Sequence, residues 1–185
     1  VNTACYGITV IATLLLGKVM HLLEKKQWCI LGACFIIAGS LILLLNPTSV
    51  PLVTFGGLLR GIGMTPILGM IFTMIADAIE YGQWKTGLRT AGAIQSATTS
   101  GQKFGQGIGS ALIGFIMEST GYNGNLATQT ELATQTIQNL FIYGVSILGI
   151  IMIVILLFYK LDKEYPMIMR ELLERETAQM QKSVK

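Results

Sequence analysis

The sequence predicts an all-α membrane protein with five membrane-spanning helices and a short amphipathic helix at the C-terminus. Three observations support this prediction. The 185 residues are 52% hydrophobic and only 12% charged, whereas a soluble domain carries about 25% charged residues. The apolar residues form long continuous runs without the alternation of barrel strands. The Lys and Arg residues between those runs fall on one side of the predicted membrane.

Five apolar runs are long enough to cross a bilayer, which takes about 20 mainly apolar residues in a helix. They cover residues 1–23, 28–45, 51–79, 91–117 and 136–159. In the third run, Pro66 and the glycines around it predict a bend. We expect one transmembrane bundle over residues 1–160 and a cytoplasmic tail over residues 161–185.

Positive charge predicts the orientation. The loop after the first run holds two lysines, the loop after the third holds Lys85 and Arg89, and the sequence after Tyr159 holds six more cations. The loops on the other side, residues 46–50 and 119–135, contain no Lys or Arg. Because cytoplasmic loops are enriched in these residues, we expect the C-terminus in the cytoplasm.

The sequence lacks the signals of a secreted protein or an enzyme. Val1 opens inside an apolar run with no charged segment before it. This run is therefore no signal peptide, and we expect the chain to begin within a larger protein. The three cysteines and the single histidine, His21, show no metal-ligand spacing, and no phosphate-binding loop occurs. We expect no enzymatic activity, no metal, no cofactor and no nucleic-acid partner.

A polar stripe runs along the fourth segment. Six polar side chains fall within a strip about 100° wide on a helix: Gln95, Thr99, Gln102, Lys103, Gln106 and Ser110. On roughly the opposite side, small residues recur every four positions and allow another helix to approach closely: Ala97, Gly101, Gly105 and Gly109. We expect the stripe to line a water-accessible cavity, with a packed polar interface as the alternative.

Two cations lie well inside the predicted spans, whereas Lys18 is near the end of the first. Lys103 is about 18 Å from either end of its helix, a depth at which a lysine costs roughly 2.5–3.5 kcal/mol on insertion scales. We expect it to be a functional residue. The alternative is an ion pair with an acid outside this sequence, which has no mid-membrane acid of its own. Arg60 either reaches outward or lines the same cavity, and we favour a structural or gating role for it.

Asp77 and Glu80 are three residues apart at the predicted cytoplasmic end of the third helix, so they share a face. Carboxylates at a helix C-terminus oppose the helix dipole. They therefore need cationic partners, either Lys85 and Arg89 or residues outside this chain. From the charges alone, an ionic latch on the cytoplasmic side and ordinary loop charge both remain open.

The tail after Tyr159 resumes a helical pattern. Five side chains share one face: Tyr165, Ile168, Met169, Leu172 and Leu173. Pro166 suits a first helical turn. Two interpretations stay open, a short amphipathic helix on the cytoplasmic membrane face and a solvated, partly disordered tail.

Residues 77–89, DAIEYGQWKTGLR, resemble a signature of the glycoside–pentoside–hexuronide:cation symporters. This family, which includes melibiose permease, belongs to the major facilitator superfamily. The resemblance continues through Gln102 and Lys103 and the glycines after them. It extends to STGY at residues 119–122 and to YKLD at residues 159–162.

The resemblance implies that the five runs match helices 8–12 of a twelve-helix fold. It implies a central sugar site at Lys103, with Thr99 and Gln102 beside it. Gln95, Gln106 and Arg60 are our candidates for the cavity lining. The resemblance also implies a cytoplasmic charge network that helps to hold the two halves together: Asp77, Glu80, Lys85 and Arg89.

The function expected from this resemblance is sugar or glycoside transport by cation symport in the bacterial inner membrane. The coupling ion, Na⁺ or H⁺, would bind in the N-terminal half. The expected partners are membrane lipid, a small sugar, and the N-terminal six-helix bundle with helix 7. The alternative is a stand-alone membrane scaffold or anchoring subunit, which explains the apolar runs but not a lysine on a polar stripe at the membrane midplane.

Overall fold

The structure is a computed structural model that describes residues 23–46, 49–126 and 128–183. The predicted first span falls almost wholly outside the described residues. Helices are the only regular elements in the described part of the chain. They are α1 (Lys25–Ile42), α2 (Val50–Thr86), α3 (Ala91–Ser119), α4 (Glu131–Asn139), a π-helical turn (Leu140–Gly144), α5 (Val145–Phe158) and α6 (Leu161–Ser183).

Three helical stretches are long and apolar enough to cross a membrane: Lys25–Ile42, Val50–Thr86 and Glu131–Phe158. They correspond to the predicted second, third and fifth runs. The predicted fourth run forms α3, which has 29 residues and is long enough to span. It does not meet the same hydropathy criterion because its polar stripe lowers the average, so its crossing of the membrane stays a prediction.

Helix α2 runs without interruption through Pro66 for 37 residues. The sequence predicted its end near residue 79, but it continues to Thr86. It stops at Gly87, whose φ of 73° is left-handed and whose N–H donates to the Gln83 carbonyl at 2.8 Å. Glycine is the residue that adopts this conformation without steric cost, so the stop is encoded locally.

Helices α1 and α2 pack through two pairs of glycines. A Cβ added to Gly32 would lie 2.5 Å from the Gly63 carbonyl oxygen, and one added to Gly39 would lie 2.7 Å from the Gly56 carbonyl oxygen. The lower-numbered glycine of α1 faces the higher-numbered glycine of α2, so the helices are antiparallel. Small residues allow such close backbone contact, which brings the N-terminus of α1 beside the far end of α2.

Helix α5 closes this unit from the other side of α1. The Ile37 side chain lies 3.0 Å from the Cβ position of Gly149. Nearer the start of α1, Cys29, Met70 and Leu156 form a buried apolar cluster joining α1, α2 and α5. Three of the spanning elements are therefore packed around a common core.

Helix α3 differs because none of its residues is buried. Its first turns lie near α2, where Ile94 Cδ1 is 3.5 Å from the Cβ position of Gly82. Along the predicted small-residue ridge, Gly101, Gly105 and Gly109 have nothing within 4 Å of their Cβ positions. The ridge has no partner among the described residues.

The tail forms a 23-residue helix, α6, longer than the short helix predicted. Pro166 is its sixth residue and lies in its interior, so the prediction of Pro166 in the first turn is wrong. The helix begins earlier because Asp162 and Glu164 provide the acidic first turn that a helix N-terminus favours. Ile168 and Leu172 are buried.

Candidate functional site

Lys103 lies 12 residues after Ala91, the first residue of α3, which places it about 18 Å along the helix axis. Its side chain is exposed and lines an open groove of about 530 Å³. The groove residues are Thr99, Ser100, Lys103, Phe104, Gly107 and Ile108. All of them belong to α3, so the described residues supply one wall of a site.

The other predicted stripe residues, Gln95, Gln102 and Gln106, are also exposed on α3. The Thr99 hydroxyl donates to the Gln95 carbonyl at 2.9 Å, so this threonine is satisfied within its own helix. On a helix that is predicted to cross the membrane, a lysine and several amides require a protein or water environment. The stripe therefore needs a covering surface or a water-filled space that the described residues do not provide.

Arg60 lies in a different place. Its guanidinium sits 4.1 Å from the centre of the Phe141 ring in the π-helical turn, and its Cγ lies 2.8 Å from the Cβ position of Gly39. Its Nη1 is buried and has no hydrogen-bond partner among the described residues. Arg60 thus lies between α1 and the π-helical turn and does not contribute to the groove beside Lys103. Its role in lining the cavity stays a prediction.

Asp77 is buried and paired within this chain. The Lys25 ammonium donates to Asp77 Oδ1 at 2.7 Å and to Oδ2 at 2.5 Å, and the aspartate side chain is 3% exposed. The expectation that its partner is Lys85, Arg89 or a residue outside the chain is wrong. The glycine contacts set the antiparallel order of α1 and α2, which brings the first turn of α1 toward the end of α2 that holds Asp77, and the long Lys25 side chain completes the pair.

The helix dipole has little effect on Asp77 and Glu80. Because α2 continues to Thr86, Asp77 and Glu80 lie within the helix and not at its end. The dipole acts mainly in the last turn, so a direct ion pair stabilises Asp77 and a hydrogen bond engages Glu80.

Glu80 Oε2 accepts a hydrogen bond from the hydroxyl of Tyr165 in α6. The Tyr165 ring also lies against Lys25, whose Nζ is 4.5 Å from the ring centre. Burial raises the pKa of Tyr165, and the hydrogen bond to Glu80 raises it further. The phenol therefore stays a proton donor to this carboxylate at neutral pH.

Lys85 and Arg89 are exposed at the end of α2 and in the loop after it. Lys85 lies over the Tyr81 ring at 5.7 Å from its centre. Among the described residues, neither cation forms an ion pair with Asp77 or Glu80. The structure therefore brings together Asp77, Glu80, Lys25 and Tyr165, whereas the sequence predicted Asp77, Glu80, Lys85 and Arg89.

A second polar junction escaped the sequence analysis. The backbone N–H of Lys26 donates to Asp162 Oδ2 at 2.9 Å, and its ammonium donates to the carbonyls of Leu157 at 3.0 Å and Tyr159 at 3.2 Å. Asp162 thus caps the start of α1, and Lys26 caps the end of α5, each with the charge that the helix dipole favours. Burial and the Asp162 charge raise the pKa of Tyr159.

Comparison with known proteins decides the family. The family model described as "MFS/sugar transport protein" matches residues 1–163. The chain belongs to the MFS/sugar transport family. This assignment confirms the resemblance predicted from the motif at residues 77–89, and it makes the all-helical chain a part of a multi-pass membrane protein of the major facilitator type.

Several relatives of this MFS chain are known. It is 35% identical to an isoprimeverose transporter of Lactiplantibacillus pentosus over 158 residues, and this alignment covers 84% of this chain and 32% of that protein. It is 29% identical over 179 residues to a glucuronide carrier protein homolog of Escherichia coli K12, covering 95% and 38%. It is 28% identical over 173 residues to an uncharacterised symporter of Bacillus subtilis, covering 92% and 38%.

The MFS chain thus spans about a third of the length of these three curated relatives. This fits the open side of α3, because the rest of each relative lies beyond the aligned region. The relatives are transporters or symporters by name, which fits the expectation of a protein without enzymatic activity. They do not favour the alternative of a stand-alone scaffold.

Proposed function

We propose that this chain is the C-terminal part of a transporter that carries a sugar or glycoside across the membrane in symport with Na⁺ or H⁺. The observation that carries the proposal is Lys103, which lies deep along a polar stripe of α3 in a chain of a sugar-transport family. The names of the relatives, an isoprimeverose transporter and a glucuronide carrier homolog, support a glycoside as the transported class.

The proposed sugar site has α3 as one wall. An ammonium offers three hydrogen-bond donors and a primary amide offers both donors and acceptors, so both match the hydroxyls of a sugar. Lys103 and Gln102 would bind the sugar directly, and Thr99 would contribute its hydroxyl from one turn away. The remaining contacts and the coupling ion would come from the N-terminal half, across a shared site at the membrane midplane.

The proposed cytoplasmic gate uses the charges of α2 in two ways. Asp77 is paired internally with Lys25, so it would anchor α2 to α1. Glu80, Lys85 and Arg89 would meet charges of the N-terminal half and stabilise the state in which the cytoplasmic side is closed. Such contacts shift the balance between outward-open and inward-open states because they form in only one of them.

The test is Lys103→Ala in the complete transporter. Removing a charged hydrogen-bond donor from the sugar site should reduce uptake by about 100-fold. Uptake of a panel of labelled sugars and glycosides would be measured in cells, with the amount of protein in the membrane fraction determined in parallel. Lys160→Ala, which removes an exposed lysine beyond the last span, is the matched control and should transport normally.

Lys103→Met separates charge from side-chain length and should fail in the same way. Normal uptake kinetics in both Lys103 variants, at normal protein amounts, would refute the site. Sugar accumulation that persists without a Na⁺ or H⁺ gradient across the membrane would refute cation symport, but it would not refute sugar transport.

A further inference from the structure

Helix α6 docks on the cytoplasmic end of α2 through apolar and polar contacts. Ile168 is fully buried and Leu172 is 7% exposed. The Trp84 indole Nε1 donates to Glu171 Oε2 at 2.7 Å, and Arg175 Nη1 donates to the Trp84 carbonyl at 2.9 Å. The tail therefore binds at a defined position on α2, the helix that also carries Asp77 and Glu80.

One tail residue links both carboxylates. The Tyr165 hydroxyl donates to Glu80 Oε2. The face of its ring lies 4.5 Å from Lys25 Nζ, and Lys25 is the ion-pair partner of Asp77. Tyr165 thus contacts Glu80 directly and lies beside the Lys25–Asp77 ion pair.

The composition of α6 favours this protein contact over a membrane surface. The helix carries five acidic residues and four basic ones. A helix that lies on anionic lipid is rich in Lys and Arg on its polar face, and the balance here is slightly acidic. The two most buried apolar side chains, Ile168 and Leu172, lie in the docked part of the helix.

We infer that Tyr165 is a positioning residue of the cytoplasmic gate, through which the docked tail helix holds Glu80 ready to pair with a cation of the N-terminal half. This inference rests on the proposed gate role of Glu80. The hydrogen bond fixes the orientation of the carboxylate and leaves its negative charge intact. Loss of the hydroxyl therefore weakens closure of the cytoplasmic side.

The experiment uses Tyr165→Phe in the complete transporter, because this variant removes the hydroxyl and keeps the ring beside Lys25. The reporter is a single cysteine at position 96, an exposed serine near the cytoplasmic start of α3, in an otherwise cysteine-free background. A membrane-impermeant maleimide added to inside-out vesicles reports how often the cytoplasmic side opens. Tyr122→Phe, at an exposed tyrosine in the opposite loop, is the matched control.

Tyr165→Phe should raise the labelling rate about tenfold or more, as expected for the loss of one hydrogen bond to a charged group, and Tyr122→Phe should leave it unchanged. In a Glu80→Gln background, which itself raises labelling, Tyr165→Phe should add nothing, because the tyrosine acts through this carboxylate. Hydrogen exchange of residues 161–183 should remain slow in Tyr165→Phe, which shows that the tail is still docked.

The outcomes separate the inference from the proposal beneath it. If Glu80→Gln leaves labelling unchanged, the gate role of Glu80 is wrong. If Glu80→Gln raises labelling and Tyr165→Phe does not, only the role of the tail is wrong. Additive effects of the two substitutions would also overturn the inference, because the tyrosine would then act independently of Glu80. Slower labelling in Tyr165→Phe would overturn it as well, because the tyrosine would then compete with the N-terminal cation for Glu80.

Discussion

Helices α1 and α2 pack closely against each other, whereas most of α3 has no partner among the described residues. Between α1 and α2, glycines touch backbone to backbone and the buried Asp77 has its own lysine. Along α3, a lysine and three glutamines face open space and the glycine ridge has no neighbour among the described residues. The contacts between α1 and α2 stabilise the fold, whereas α3 exposes polar groups that no other described residue covers.

The largest expected difference between the two regions concerns their lysines. Lys25→Met in the complete transporter should lower the free energy of unfolding by about 3 kcal/mol or more, because Asp77 is left buried and unpaired. Lys103→Met should change it by less than about 0.5 kcal/mol. Denaturant titration of the purified protein in detergent measures both. Equal losses would show that the regions do not differ as described.

A smaller difference is expected for the glycines. Gly63→Ala places a methyl group 2.5 Å from the Gly32 carbonyl oxygen and should cost about 1–3 kcal/mol through overpacking. Gly92→Ala, in the first turn of α3, has open space and should be neutral or stabilising by up to about 1 kcal/mol. The midpoint of thermal unfolding reports the sign of each change. If Gly63→Ala does not change the midpoint of thermal unfolding, α1 and α2 are packed less closely than the 2.5 Å approach indicates.

The smallest difference is expected for the acids at helix ends. Asp162→Asn keeps an acceptor for the Lys26 N–H but removes the charge at the start of α1, which should cost about 0.3–1 kcal/mol and less at high salt. Glu118→Gln, in the last turn of α3, should cost nothing because a carboxylate there opposes the dipole. The same titration, repeated at two ionic strengths, tests this pair, and a salt-independent loss in Asp162→Asn contradicts the dipole explanation.

Much of the fold could be predicted from apolar run length. The fourth run, predicted at residues 91–117, corresponds to α3 at Ala91–Ser119. The end of α2 was missed because the charges from Asp77 to Lys85 resemble a loop. They remain helical because Lys25 and Tyr165 satisfy two of them from other elements. These two partners lie 52 and 85 residues away in sequence, so the residues around Asp77 and Glu80 do not predict them.

The candidate site was predictable in part. The stripe containing Lys103 follows from helical periodicity alone, and the structure places its members on one face of α3. The partner of Asp77 was not predicted, although one signal pointed to it. Gly32 and Gly39 in α1 are seven residues apart, as are Gly56 and Gly63 in α2. Two matching spacings of small residues indicate the antiparallel register in which the helices meet, and that register places Lys25 toward the end of α2 that holds Asp77.

The exchange of caps between Lys26 and Asp162 has a mechanical consequence. It fastens the end of α5, the beginning of α6 and the beginning of α1 at one point. These contacts therefore couple the position of the tail helix to that of α1, and the glycine contacts couple α1 to α2. The junction of α5 and α6 and the start of α1, which are more than 130 residues apart in sequence, are thereby held together.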